Sequence, residues 1–81
     1  MQADELKQLI EEAVSGSDVT IQGEGDHFDA TVVSDVFEGK NMVQQHQMIY
    51  AALGTLMQKE IHALALHTFT PEQWSKQKRI Q

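Results

Sequence analysis

The sequence predicts a small α+β fold in the order helix, strand, strand, helix, strand, helix, with a three-stranded sheet covered by helices on one face. Three observations lead there. Apolar residues recur at helical spacing between Asp4 and Val14, two β-branched runs flank Gly23-Glu24-Gly25-Asp26, and a strand-like run ends at Thr70-Pro71-Glu72-Gln73. A chain of 81 residues has room for one core, because a domain of this size buries only about 60% of its unfolded surface. A content of 41% hydrophobic and 22% charged residues supplies the apolar area needed to offset the entropy of ordering. A single domain over residues 1–81 is expected, with a short basic tail at 75–81.

In the first element Leu6, Leu9, Ile10, Ala13 and Val14 line one side of a helix, and Glu11 and Glu12 fall on the other. Ser15-Gly16-Ser17-Asp18 stops it, with Gly16 suited to left-handed geometry. Val19-Thr20-Ile21 and His27-Phe28-Asp29-Ala30-Thr31-Val32-Val33 read as antiparallel strands joined by a loop at Gly23–Asp26. Phe37-Glu38-Gly39-Lys40-Asn41 reads as a turn. From Met42 onward a stripe of Val43, His46, Ile49, Tyr50, Leu53, Leu56 and Met57 predicts a second long helix that covers the sheet.

The run from Glu60 to Phe69 has helical propensity in its Ala and Leu residues, yet Thr68-Phe69-Thr70 is strand-like and Pro71 halts it. A strand is favoured, with Ile61, Ala63, Ala65 and His67 on one face and His62, Leu64, Leu66 and Thr68 on the other. Thr70-Pro71-Glu72-Gln73 then has the pattern of a capping box, which predicts a short terminal helix bearing Trp74.

Composition excludes several functions. The chain has no cysteine, so it carries neither disulfides, nor a thiol nucleophile, nor a self-contained Cys-based metal or cluster site. No apolar run approaches the roughly 20 residues that span a bilayer, and Met1-Gln2-Ala3-Asp4-Glu5 lacks the features of a signal peptide, so a cytoplasmic protein without membrane contact is expected. Twelve acidic residues against six basic ones, net −6, disfavour nucleic acid, whose phosphates demand a positive surface. A lone G-x-G at Gly23 and Gly25 is no dinucleotide fingerprint. Ser15, Ser17 and Ser34 lack a nucleophile setting and no two carboxylates are placed for acid–base work. No catalytic residue is assigned, and an enzyme is not expected.

The four histidines are the remaining candidates. From spacing alone His62 reads as a structural histidine before it reads as a ligand, because no metal-ligand spacing surrounds it. His67 falls on the other strand face and cannot chelate with it. His27, beside Glu24 and Asp26, offers a mixed donor set to a metal, although the two glycines also serve a simple hairpin. His46 reads as a core-edge residue with one ring nitrogen in water.

Several fragments carry a family resemblance: Asp26-His27-Phe28 leading into Val32-Val33-Ser34, Phe37-Glu38-Gly39-Lys40, Gln45-His46-Gln47-Met48-Ile49-Tyr50, Ile61-His62-Ala63-Leu64, and Thr70-Pro71-Glu72-Gln73-Trp74. Each is weak alone, but in this order and with these gaps they resemble the BolA family. The short acidic form with its brief loop is similar to the IbaG-like bacterial subgroup. The likeness covers nearly the whole chain.

The resemblance implies a class II KH-like fold and a role in iron–sulfur trafficking and iron homeostasis. The partner it implies is a monothiol, CGFS-type glutaredoxin, bringing glutathione and sharing a bridging 2Fe–2S cluster that the isolated chain does not hold. It places one ligand at His62. The second ligand of many relatives is a Cys or His in the loop before the second strand; here only His27, just past that loop, has a suitable ring. Two ligand sets stay open: His62 with His27, or His62 alone with the partner's thiolates and glutathione. The resemblance also implies an alternative, a DNA-binding transcriptional regulator of stress or envelope genes, using Lys40, Lys76, Lys78 and Arg79. Gly39-Lys40-Asn41-Met42 is an incomplete G-x-x-G clamp for that task. A homodimeric module without metal is a third reading.

Overall fold

Two antiparallel strands and a third parallel to their inner member form the frame that positions everything else. The computed structural model describes residues 2–24, 27–54 and 63–80, without the side chains of residues 24 and 78–80. Its elements are α1 (Ala3–Ala13), β1 (Asp18–Glu24), β2 (His27–Val33), a 3-10 turn (Asp35–Phe37), α2 (Met42–Leu53), β3 (Ala63–Phe69) and α3 (Pro71–Ile80). This is the predicted α+β order.

Leu6 and Ile10 of α1 and Ile49 and Leu53 of α2 pack on Val19, Phe28, Ala30, Val32 and Leu66 of the sheet, so α1 and α2 cover one face. Each such Leu, Ile, Val or Phe side chain contributes roughly 1.5–3 kcal/mol on full burial. Asp4 and Glu5 in the first turn of α1 suit the positive end of its dipole, and Gly16, at φ 72°, supplies the turn into β1.

The strands alternate as β geometry requires. Phe28, Ala30 and Val32 point to the helices and His27 and Asp29 point away. In β3, Leu66 and Thr68 are buried while Ala63, Ala65 and His67 are exposed, which keeps the two sets on the separate faces the sequence predicts. Thr70 caps α3 as expected: its Oγ1 accepts from the Gln73 backbone N–H at 3.1 Å, and Gln73 Oε1 accepts from the Thr70 N–H at 2.9 Å. Trp74 then packs on Phe69, ring centroids 5.2 Å apart.

Four expectations are corrected. The loop at Gly23–Asp26 is shorter than predicted, because Gly23 and Glu24 pair with Phe28 and His27 as the last residues of β1. Gly23 tolerates that pairing through its φ of 129° and its lack of a Cβ, which would run into the His27 carbonyl oxygen and come within 2.9 Å of Phe28 Cα.

Phe37, read as part of a turn, closes the 3-10 segment and is fully buried. Ser34 holds that segment in place, its Oγ accepting from the Val36 N–H at 3.3 Å while its own N–H donates to Phe69 O at 3.0 Å.

The inward face of α2 is Gln45, Ile49 and Leu53, which leaves Val43 at 65% exposure and Tyr50 at 40%. The predicted stripe had Ile49 and Leu53 right and the flank wrong; its Leu56 and Met57 lie outside the described residues. A buried glutamine is acceptable because its amide is satisfied. Nε2 donates to Lys40 O at 2.9 Å and Phe37 O at 3.3 Å, and Oε1 accepts from Thr68 Oγ1 at 2.7 Å. Asn41 fixes the start of the helix through a reciprocal capping box with Gln44, at 2.8 and 3.0 Å.

Finally, residues 75–80 belong to α3, not to a separate tail. The capped start at Thr70 lets the helix propagate through the basic residues.

Candidate functional site

His27 opens β2 and is the Cα partner of Glu24 on β1 and of Ala63 on β3. Its neighbour Phe28 is buried toward α1 and α2, so alternation turns His27 to the outer face of the sheet, where it is exposed. An open concavity of about 660 Å³ lies there, lined by Gln22, Gly23, His27, Phe28, Asp29, Ala63, Leu64 and Ala65.

Next along the same face Asp29 Oδ1 and His67 Nε2 are 3.5 Å apart, each side chain about half exposed. Nothing in the local sequence around either residue signals this pair. Both residues have outward parity, but only the parallel register of β2 and β3 brings them together. The stability it lends is small, since water screens exposed pairs.

His62 lies outside the described residues; the structure places its chain neighbour Ala63, across from His27. Asp26, the acid expected beside His27, also lies outside them. His46 stands half-buried on α2, edge-on to Tyr50 with ring centroids 6.4 Å apart. Its Nε2 is shielded from solvent without a hydrogen-bond partner among the described residues. His46 is on the helical layer and does not join His27 and His67.

Of the basic residues, Lys40 is exposed beside the start of α2. Its carbonyl is engaged by Gln45. Lys76 forms an exposed i,i+4 pair with Glu72 at 3.3 Å. Lys78 and Arg79 follow in the last turns of α3, their side chains outside the description.

Among the described residues no group of three His, Asp or Glu side chains is placed to hold a metal ion. With no cysteine in the chain, the described donors on the outer face, His27, Asp29 and His67, do not by themselves complete a metal site. No helix among these residues is long and apolar enough to cross a membrane.

Comparison with known proteins agrees with this fold. A family model described as BolA-like protein matches residues 7–73. The acid stress protein IbaG of Escherichia coli strain K12 is 27% identical over 81 residues, covering 99% of this chain and 96% of that protein. The DNA-binding transcriptional regulator BolA of Haemophilus influenzae is 46% identical over 56 residues, which is 69% of this chain and 54% of that protein. Among solved structures, a BolA protein homologue from Coxiella burnetii superposes with a TM-score of 0.83 at 41% identity, covering 93% of this chain and 97% of that one. The chain belongs to the BolA family and resembles its IbaG-like members over its full length.

Proposed function

We propose that this chain is a non-enzymatic adaptor that pairs with a monothiol, CGFS-type glutaredoxin and shares with it a bridging 2Fe–2S cluster, serving iron–sulfur trafficking and iron homeostasis. The observation that carries the reading is His27, an imidazole exposed beside a concavity on the outer face of the sheet, in a family member without a cysteine. On this reading His62, alone or together with His27, is the donor set this chain offers, and the partner's thiolates, its own and that of glutathione, complete the coordination. Imidazole in place of thiolate leaves a cluster less negative, raises its potential, and requires a neutral ring for ligation.

The test is to mix the chain with a monothiol glutaredoxin, iron and sulfide under reducing conditions. A complex is expected whose visible absorption differs from that of the glutaredoxin homodimer. His62→Ala and His27→Ala then report the ligand set. If both leave spectrum and complex unchanged, the assigned donors are wrong.

A second reading is favoured by one observation: the Haemophilus relative is named a DNA-binding transcriptional regulator. It would use Lys40, Lys76, Lys78 and Arg79. The net charge of −6 and the Lys76–Glu72 pair oppose it. Titration with duplex DNA at low and high salt decides: binding with a steep salt slope supports regulation, and its absence at low salt removes it.

A further inference from the structure

Any group that shares a ligand with His27 has one side from which to approach. α1 and α2 close the inner face, and His27 is turned outward with its neighbours Gln22, Asp29, Ala63, Ala65 and His67, all of them exposed. Ala65 is the Cα partner of Asp29, and Ala63 of His27. On β3 the residues beside the imidazole are therefore as short as side chains with a Cβ can be, and they leave clearance for a partner's backbone.

Charge narrows the partner. Across β1, β2 and β3 the sequence contains Asp18, Glu24 and Asp29 and no lysine or arginine. Among the described side chains this surface thus offers the Asp29 carboxylate and the imidazoles of His27 and His67, with no lysine or arginine beside them, on a molecule of net charge −6. A nucleic-acid backbone is repelled by such a surface, and a second copy of this chain would oppose like charges across a two-fold axis. A basic protein surface is attracted.

The geometry points to the outer face of the sheet, centred on Ala65 and rimmed by Gln22, Asp29 and His67, as the docking surface for the thiol-bearing partner, whose complementary face is basic. This rests on the cluster-sharing reading above and adds to it where the partner sits and what charge it brings. The Asp29–His67 pair marks the side of the footprint away from His27. As an exposed pair it is screened by salt, so its part is in steering and register more than in raw affinity.

Calorimetric titration of the full chain with a monothiol glutaredoxin, before and after cluster reconstitution, tests this at low and high salt. Ala65→Trp fills the concavity and Asp29→Lys reverses the rim charge. Each is expected to weaken binding by about tenfold or more, a range typical of disrupted interface centres, without moving the thermal midpoint. Wild-type affinity is expected to fall as salt rises. Val43→Glu, an exposed change on the helical layer, is expected to bind as wild type. If the wild type forms the cluster-bearing complex and both sheet variants bind equally well, the docking surface is overturned while the cluster-sharing reading stands. If the wild type forms no complex under any condition, that reading fails and the surface fails with it. Duplex DNA binding that is abolished by Ala65→Trp would overturn the assignment of this face to a protein partner.

Discussion

Thr68 Oγ1 on β3 donates to Gln45 Oε1 on α2 at 2.7 Å, and both side chains are buried. This hydrogen bond adds a polar tie between the second helix and an edge strand of the sheet. Through the other end of its amide, Gln45 also holds the carbonyls of Phe37 and Lys40. Thr68→Val keeps the shape and leaves the Gln45 oxygen buried without its donor. A loss of about 1–3 kcal/mol is expected, read from urea unfolding. The double variant with Gln45→Met should cost less than the sum of the single changes, because the two residues share one network.

The phase of α2 is directly testable. Ile49→Ala should destabilise by about 2–5 kcal/mol through loss of burial and a residual cavity, whereas Val43→Ala should change stability by less than about 0.5 kcal/mol. Comparable losses at the two positions would mean that Val43 is inside after all.

Phe37→Ala should be among the most damaging single changes, at about 3–5 kcal/mol, since a fully buried aromatic ring at the 3-10 turn is removed. The chain is small, so thermal melts of this variant should show a broad or absent transition at physiological temperature.

Gly23→Ala combines a positive φ with a Cβ driven into the backbone of the paired strand. A cost of about 1–3 kcal/mol is expected from the strain. Because the contact is with His27 and Phe28, amide shift changes in an NMR spectrum should concentrate at the start of β2. Changes spread evenly over the molecule would count against this account.

Asp29→Asn removes one side of the exposed pair with His67 and should alter stability by less than about 1 kcal/mol. That near-neutrality, measured by denaturation, is what allows changes at Asp29 to be read as binding effects.

Much of the fold was legible from local signals. The period of α1, the β-branched runs of β1 and β2, the alternation of β3 and the Thr70–Gln73 box are each written in consecutive residues, and each is found where expected. The errors have a common cause. Val43 and Tyr50 are apolar enough to suggest an inward stripe, and Gln45 polar enough to suggest the opposite. The decision rested on partners 5, 8 and 23 residues away that satisfy the amide. Hydropathy has no access to such partners. Gly23 was misplaced for a similar reason, since its fitness for a strand depends on how closely the backbone of His27 approaches.

By itself the sequence determined the class of the fold, the absence of any thiol, the acidic balance and the division of the third strand into two faces, all of which follow from composition and short-range period. The tertiary structure alone decided that β3 runs parallel to β2 in the register His27–Ala63, Asp29–Ala65, Thr31–His67. Residues far apart in the chain become neighbours only through that long-range backbone pairing. It is the pairing that sets two small alanines beside His27 and Asp29 and makes that histidine one edge of a surface.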